Sequence, residues 1–258
     1  PQDALQRGLV TASAGNHGLG VALAAKIRGV TCTVLVPRGA SPAKVAALRQ
    51  LGAQVLFRGR DYDEAEAEAL NLAAERGATF VHAFDDPEVI AGQGTTALEL
   101  LRQLSGVTEI LVPVGGGGLI SGVASYVKSV RPDVRVVGVQ PEASPAMLRA
   151  LEAGRVVETP FTETLADGLA GRFVSERTLR ACQAYVDDLV LVSETEIRAA
   201  LRYLVDTLHT IAEGSAVVGL AALLRRRRIQ GVAATIVTGR NIDTQSLRSV
   251  LENEHETS

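Results

Sequence analysis

Short β-branched runs alternate with helical patterns along the chain, and this alternation restricts the fold more than any other feature. Residues 30–36 favour a strand, and Ser41 and Pro42 then supply an N-cap and a first-turn proline for a helix. Gly52 ends that helix, and residues 54–57 form the next predicted strand. This order is typical of parallel βαβ units. The sequence therefore predicts an α/β protein of two lobes separated by a cleft, with three-layer αβα packing around mainly parallel sheets.

The other predicted elements fall into two series. The first series lies within residues 8–82, which are assigned to a small α/β domain. The second lies within residues 83–258, which are assigned with residues 1–7 to a large domain, and a capping box at Ser193 and Glu196 opens one of its helices. The predicted strands are 8–12, 79–82, 109–114, 134–139, 189–192 and 232–237, and the predicted helices are 61–76, 94–104 and those starting after Ser13, at Leu119 and at Ser215.

The charge balance argues against a polyanionic partner. The 258 residues carry a formal net charge of −3, which offers no global field for capturing nucleic acid or an anionic membrane surface. The one basic run, at residues 225–228, follows an apolar helix and complements the negative end of its dipole. We expect neither nucleic acid nor a membrane as a partner.

The uncharged run at residues 110–127 has the length of a membrane span, but four glycines and Pro113 interrupt it. A strand, loop and helix explain it better. The two cysteines, Cys32 and Cys182, lie apart in apolar surroundings without a C-x-x-C pattern, which disfavours both a disulfide framework and a zinc site. Free thiols and the lack of an export signal predict a cytoplasmic protein.

The strongest local signal is a strand that ends in four glycines and continues into a helix. Such a turn presents bare backbone N–H groups at the positive end of a helix dipole, which favours a phosphate. A dinucleotide fingerprint requires a glycine where Ile120 stands, and no Gly-Lys-Ser/Thr sequence for a nucleotide P-loop is present. A tight turn without a ligand is the alternative. The glycines are Gly115, Gly116, Gly117 and Gly118.

A second turn, at residues 13–18, also follows a predicted strand and opens a helix. Its N–H groups suit a carboxylate, and the Asn16 amide suits a phenolic oxygen. Taken alone, the turn is equally consistent with an ordinary helix N-terminus, and His17 is more typical of a hydrogen-bonded structural histidine than of a catalytic base.

In combination, these motifs resemble those of the serine/threonine dehydratases, which are pyridoxal 5′-phosphate (PLP) enzymes of fold type II in the tryptophan synthase β-like superfamily. TASAGNHG (11–18) is similar to the family's asparagine loop, FDDPEVIAGQGT (84–95) to its inter-domain segment, and VPVGGGGLISG (112–122) to its phosphate loop. ETLADGLA (163–170) and VTGRNID (237–243) match more loosely.

The resemblance assigns roles to individual residues. It implies that Gly115, Gly116, Gly117, Gly118 and the Leu119 N–H hold the PLP phosphate. Asn16 would bond the ring oxygen, and Thr238 would face the pyridine nitrogen. The substrate carboxylate would lie at Ser13, Ala14, Gly15 and His17, and further candidates for the site are Gly168, Glu213 and Arg240.

The implied reaction is β-elimination of a β-hydroxy amino acid such as threonine or serine, which yields a 2-oxo acid and ammonia. The cofactor takes up the electrons released when the α-proton leaves. A Thr238 hydroxyl cannot keep the pyridine nitrogen protonated as a carboxylate would, so prompt loss of the β-hydroxyl is favoured over reprotonation. The family also implies a homo-oligomer, a dimer or a tetramer.

The chain departs from the family pattern at the attachment lysine, which normally lies in a Ser-Phe-Lys motif before the asparagine loop. The lysines present are Lys26, Lys44 and Lys128, and each is predicted to be a solvated charge on a helix. We therefore expect a chain that lacks its N-terminal segment, binds PLP weakly and turns over nothing by itself.

Other departures concern specificity. Ala14 stands where racemases of the group carry a second serine, which disfavours racemisation. Gln140, Ser144 and Ala146 stand where some members bind a divalent cation, and without the two carboxylates we predict no metal there. Arg240 replaces a glycine and either selects an acidic substrate such as 3-hydroxyaspartate or is an ordinary surface arginine.

Three further interpretations stay open. Glu213 matches a family glutamate but lacks the usual following proline, so a helix N-cap role is equally plausible. The cysteine synthases catalyse β-replacement on this fold, but their Thr-Ser-Gly-Asn-Thr and Gly-Thr-Gly-Gly-Thr loops are absent. A catalytically inactive homologue that keeps the phosphate cradle is the alternative outside enzymes.

Overall fold

The computed structural model describes residues 6–60, 62–160 and 162–252. The chain divides into two compact units, residues 1–86 and residues 87–258, which we call the N-unit and the C-unit. The predicted helix start at Asp61 lies outside the described residues. The assignment of residues 8–82 to a small domain and of 1–7 with 83–258 to a large one stays a prediction.

The N-unit is built on a four-stranded parallel sheet with the order β3-β2-β1-β4. Helices cover both faces of this sheet. Val34 and Val36 pack with Leu48 on one face, whereas Leu35 packs with Ala65 and its neighbours on the other, because successive side chains of a strand alternate between faces. The elements are β1 (Leu9–Ala12), α1 (Asn16–Arg28), β2 (Cys32–Val36), α2 (Pro42–Gln50), β3 (Gln54–Phe57), α3 (Tyr62–Arg76) and β4 (Thr79–Phe80).

The C-unit repeats this design with a four-stranded parallel sheet in the order β7-β6-β5-β8. Ile110 and Val112 pack on one face of β5, and Leu111 packs on the other. The elements are α4 (Pro87–Gln103), β5 (Glu109–Pro113), α5 (Gly118–Val130), β6 (Arg135–Pro141), α6 (Ala146–Ala153), α7 (Glu176–Tyr185), β7 (Asp188–Val192), α8 (Glu194–Leu208), α9 (Gly214–Leu224), β8 (Ala233–Thr235) and α10 (Thr244–Glu252).

These sheets confirm the predicted α/β class and the parallel strands. The uncharged run at 110–127 forms β5, the glycine turn and most of α5. Among the described residues no helix has both the length and the apolar character that a membrane span requires. Cys32 and Cys182 are buried free thiols, and burial raises their pKa values to about 11 and about 12.

Local capping was predicted with mixed success. The Ser193–Glu196 capping box is confirmed, since Ser193 N–H donates to the Glu196 carboxylate at 2.7 Å and Glu196 N–H donates to Ser193 Oγ at 3.3 Å. Ser41 occupies the N-cap of α2 as predicted, but its side chain makes no capping bond. The prediction of a helix at 94–104 was wrong at its start, because α4 begins seven residues earlier at Pro87, whose ring suits a first helical turn. Helices α6, α7 and α10 were not predicted.

The prediction that Lys128 is a solvated charge was wrong. Its Nζ lies 2.7 Å from Asp187 Oδ2 and donates to the Val134 carbonyl at 2.9 Å. Asp187 also accepts the Val136 N–H at 2.7 Å. Burial by itself would raise the Asp187 pKa, but the bonds from Lys128 and Val136 outweigh it and lower that pKa. Lys128 therefore joins the end of α5 to the segment between α7 and β7.

Candidate functional site

The predicted phosphate loop connects β5 to α5 within the C-unit. Gly117 is the N-cap of α5 with φ +95°, and neither a side-chain cap nor an acidic residue is present in the first turn. The first N–H groups of such a helix have no intrahelical acceptor and lie at the positive end of its dipole. Gly117 and Gly118 are buried, and Gly115 and Gly116 are half-buried. The turn therefore has the backbone chemistry of an anion site.

At two of the four glycines of this loop, neighbouring segments leave little or no room for a side chain. A Cβ on Gly115 would lie 3.1 Å from Leu169 Cα. A Cβ on Gly117 would lie 2.6 Å from Met147 Cε and 2.8 Å from Thr178 Cβ. The glycines are needed for close approach as well as for the turn, which argues against an unconstrained surface loop.

The other predicted C-unit motifs are joined to this loop through a chain of contacts. Leu169 ends a short 3₁₀ helix (Asp167–Leu169), in which Gly168 N–H donates to Ser215 Oγ at 2.9 Å. Ser215 belongs to the first turn of α9, beside Glu213. Glu213 in turn holds the segment that contains Thr238 and Arg240. The structure thus links Gly115, Gly168, Glu213 and residues 238–241, although they are distant in sequence.

Glu213 bonds to the 238–241 segment with both its backbone and its side chain. Its N–H donates to the Gly239 carbonyl at 3.1 Å, and its carboxylate accepts the Asn241 N–H at 3.2 Å. The residue is the N-cap of α9, as one interpretation predicted, but its side chain does not cap the helix. Because Glu213 is buried, these bonds fix the segment on which Thr238 and Arg240 lie exposed.

The predicted carboxylate loop connects β1 to α1 in the N-unit. Gly15 is the N-cap of α1, again without a side-chain cap, and its N–H donates to Ser13 Oγ at 3.1 Å. A Cβ on Gly18 would lie 2.4 Å from the Ser13 carbonyl oxygen, so the turn is tight. Ser13, Ala14 and Gly15 are half-buried, and Asn16 is exposed. Its predicted proximity to the phosphate loop of the C-unit stays a prediction.

The His17 ring faces the interior of the N-unit. Its Nε2 lies 3.0 Å from Thr11 Oγ1 and 3.1 Å from the Val81 carbonyl oxygen. Since Thr11 Oγ1 donates its own proton to that carbonyl at 2.8 Å, His17 Nε2–H is the donor to both. Burial lowers the His17 pKa, the bond to Val81 opposes this, and repulsion from His82 adds to the lowering. His17 is thus a neutral, hydrogen-bonded histidine.

We expect the free energy of unfolding to fall as the pH decreases below about 6.5, the ordinary histidine pKa, with His17 contributing. The unfolded chain gains a proton at this residue before the folded chain does, so acid favours unfolding until the folded pKa is reached. His17→Gln keeps an amide donor near the Nε2 position and should weaken the dependence, measured by urea unfolding with circular dichroism. Equal curves for wild type and His17→Gln would contradict the assignment.

Both ends of the Gln140 side-chain amide are hydrogen-bonded to neighbouring backbone groups. The side chain is fully buried, donates to the Ser144 carbonyl at 3.3 Å and accepts the Leu148 N–H at 2.9 Å. Ser144 Oγ donates to the Gly171 carbonyl at 3.1 Å. Within residues 6–60, 62–160 and 162–252, no group of three or more His, Cys, Asp or Glu side chains is arranged to hold a metal ion.

Sequence reasoning missed several residues that shape the site. Ser215 and Thr178 contact the predicted motifs from elements distant in sequence, and Leu169, which lies within the 163–170 motif, was given no role although it contacts Gly115. Thr178 belongs to a second capping box, with Ser175, that fixes the start of α7. The S-x-x-T spacing could have indicated a helix start, but no sequence pattern shows that this start packs against Gly117.

Comparison with known proteins adds the family relationship. The family model described as "Pyridoxal-phosphate dependent enzyme" matches residues 2–239. The L-threonine ammonia-lyase of Geobacter sulfurreducens is 45% identical over 98% of this chain, which spans 63% of that protein. The biosynthetic L-threonine dehydratase of Escherichia coli is 39% identical over 95% of this chain, which spans 48% of it. The chain thus spans about half to two thirds of these curated relatives.

Solved structures show the same fold. The processed form of threonine deaminase isoform 2 from Solanum lycopersicum superposes with a TM-score of 0.91 at 36% identity, over 98% of this chain and 70% of that one. Maize serine racemase superposes with a TM-score of 0.91 at 32% identity, over 97% of this chain and 78% of that one. Both likenesses confirm the fold-type II architecture predicted from the motifs.

Proposed function

Since this chain belongs to the family of pyridoxal-phosphate dependent enzymes, we propose that it is part of an ammonia-lyase that converts threonine or serine into a 2-oxo acid and ammonia. The observation that carries the proposal is the uncapped, side-chain-free turn at residues 115–118, combined with 45% identity to a protein named L-threonine ammonia-lyase.

The C-unit residues fit a phosphate-bearing cofactor. The N–H groups from Gly115 to Leu119 would hold the phosphate, because they lie at the uncapped start of α5 and the glycines carry no side chains that could block access to them. Thr238 would face the pyridine nitrogen from the segment that Glu213 holds. When bound, pyridoxal phosphate supplies the ring that takes up the electrons released with the substrate's α-proton.

The N-unit loop would bind the substrate carboxylate. The Ser13 hydroxyl and the Ala14 N–H would bind it at the uncapped start of α1, where Gly15 donates its N–H to Ser13 Oγ and so orients that hydroxyl, while the Ser13 N–H donates to the Leu35 carbonyl. The His17 imidazole bonds to Thr11 and Val81, so this residue would contribute its backbone N–H. Asn16, which is exposed at the tip of the loop, would orient the cofactor ring through its amide.

Arg240 supports a second candidate substrate, 3-hydroxyaspartate. It is exposed on the same short segment as Thr238, and a guanidinium binds a second carboxylate well. Gly168 stays a candidate for the site because it positions Leu169 against Gly115. The proposed enzyme is a cytoplasmic homo-oligomer. Its Ala14, in place of a second serine, would disfavour racemisation.

The full-length enzyme should release 2-oxobutanoate and ammonia in equal amounts from L-threonine, and pyruvate from L-serine. A coupled lactate dehydrogenase assay and a separate ammonia assay measure the two products, and 3-hydroxyaspartate is tested in parallel. Formation of D-serine without 2-oxo acid would instead establish a racemase, and product that requires an added thiol would establish β-replacement. An inert full-length protein that binds PLP would establish the inactive homologue.

A further inference from the structure

His82 lies in the N-unit two residues after β4, at the start of the segment that leads to the unit boundary at Asp86. Its side chain is 23% exposed. The ring lies edge-on to both Phe80 and Phe84, with centroids 6.0 Å and 4.7 Å away. Between these aromatic neighbours, the two ring nitrogens face different partners.

The Nδ1 atom accepts two backbone hydrogen bonds, from Phe84 N–H at 3.1 Å and from Asp85 N–H at 2.9 Å. A backbone N–H can only donate, so Nδ1 must present its lone pair. In a neutral imidazole the proton is then on Nε2, which lies 3.3 Å from Glu66 Oε1. The contacts on the two sides of the ring therefore require the same tautomer.

Glu66 is itself held on α3. Tyr62 O–H donates to the same Oε1 atom at 2.7 Å, and burial together with the Glu66 charge raises the Tyr62 pKa. Tyr62 therefore stays a donor over the accessible pH range. Tyr62 O–H and His82 Nε2 both contact Glu66 Oε1, and the Phe84 and Asp85 amides donate to His82 Nδ1, so these contacts converge on Glu66.

The same segment holds His17. Val81, the residue before His82, offers the carbonyl that accepts from His17 Nε2 and from Thr11 Oγ1. His82 thus fixes the chain on one side of Val81, and the β1–β4 pairing fixes it on the other, through Val81 N–H to the Val10 carbonyl at 2.9 Å. The position of the Val81 carbonyl decides where His17, the second residue of α1, can lie.

We propose that His82 is a positioning residue whose Nε2–H tautomer fixes residues 81–85 and, through Val81 and His17, the loop at residues 13–17. It does not act on the reaction directly. The link from His82 to the loop at residues 13–17 lies within the N-unit, whereas its consequence for substrate binding rests on the proposed function.

Two substitutions separate this role from simple packing. His82→Asn keeps an acceptor close to the Nδ1 position, from which short side chains commonly bond to the N–H groups two and three residues ahead. His82→Phe keeps an aromatic ring between Phe80 and Phe84 but removes the acceptor. Only the loss of the acceptor should release the Phe84 and Asp85 amides.

In ¹⁵N-labelled protein, the His82 ring should show an unprotonated Nδ1 and a protonated Nε2 in long-range ¹H–¹⁵N spectra. We expect amide exchange at Phe84 and Asp85 to accelerate at least about tenfold in His82→Phe, as expected for lost hydrogen bonds, and to stay within about threefold of wild type in His82→Asn. The His17 ring and Gly15 amide resonances should shift in His82→Phe. Ile27→Ala, at a residue of α1 that is 74% exposed, is the control and should leave them unchanged.

An Nδ1–H tautomer, or equal amide exchange in the Asn and Phe variants, would overturn the role of the Nδ1 acceptor. Unchanged His17 and Gly15 resonances in His82→Phe would overturn the coupling to the loop. In the full-length enzyme, His82→Phe should raise the KM for threonine at least about fivefold and change kcat less than about twofold. The reason is that the variant weakens binding of the substrate carboxylate equally in the ground state and in the transition state. Failure of this kinetic result alone, with the spectra as expected, would count against the proposed carboxylate loop.

Discussion

Gly117→Ala should lower the affinity for pyridoxamine 5′-phosphate by about a hundredfold, or about 2.7 kcal/mol. Gly117 has φ +95°, where an added Cβ is strained, and that Cβ would also lie 2.8 Å from Thr178 Cβ. The loop must move to relieve both, and its N–H groups then no longer converge on one phosphate. Titration followed by the ligand's own fluorescence measures the effect without any need for a covalent bond to the cofactor.

Pyridoxamine without phosphate gives the reference that separates this effect from general unfolding. In wild type the phosphate should strengthen binding strongly, and in Gly117→Ala the two ligands should bind almost equally. Gly154→Ala is the matched control, because Gly154 also has positive φ, at +66°, but has no atom within 4 Å of an added Cβ. If Gly154→Ala and Gly117→Ala lost affinity alike, backbone strain would explain the result and the cradle would be wrong.

Gly122→Ala should reduce the free energy of unfolding by about 3 kcal/mol, at the upper end of typical overpacking costs. An added Cβ would lie 2.2 Å from the Ile90 carbonyl oxygen and 2.6 Å from the Gly94 nitrogen. Both are backbone atoms of α4, so the clash can be relieved only by moving α4 away from α5. Urea unfolding followed by circular dichroism at 222 nm measures the loss.

Gly92→Ala provides the comparison on the same helix, since an added Cβ there meets nothing within 4 Å. It should stabilise the protein by about 0.5–1 kcal/mol, because alanine loses less backbone entropy than glycine in a helix. Equal stability of the Gly122 and Gly92 variants would show that α4 and α5 separate at little cost. The close packing would then not fix the start of α5 and the phosphate loop before it.

The two glycine turns illustrate how far local pattern reaches. The pattern of the sequence sufficed to predict the strand, the glycine turn and the helix around residues 115–118, because these depend on the adjacent backbone. The Ser193–Glu196 capping box was predictable for the same reason. Lys128 was not, because its partner Asp187 is brought to it by the pairing of β6 with β7.

The contacts of His82 likewise could be predicted only in part from the sequence. Its sequence neighbours contain both amides that bond to Nδ1, so the turn itself is local. The Nε2 partner, Glu66, comes from α3, and the link from Val81 to His17 crosses the sheet. No spacing in the sequence indicates that residues 81–85 bond to both His17 and His82.

The sequence alone determined the alternation of strands and helices, the parallel α/β class, the glycine turns and the family motifs, because each depends on residues close together in the chain. Only the tertiary structure decided that Leu169, Ser215 and Glu213 support the turn at residues 115–118 and the 238–241 segment, and that His17 faces Val81. Packing of segments that are distant in sequence sets these contacts. A hydrogen bond, or a clash with a Cβ added to a glycine, depends on distances in space that separation along the chain does not fix.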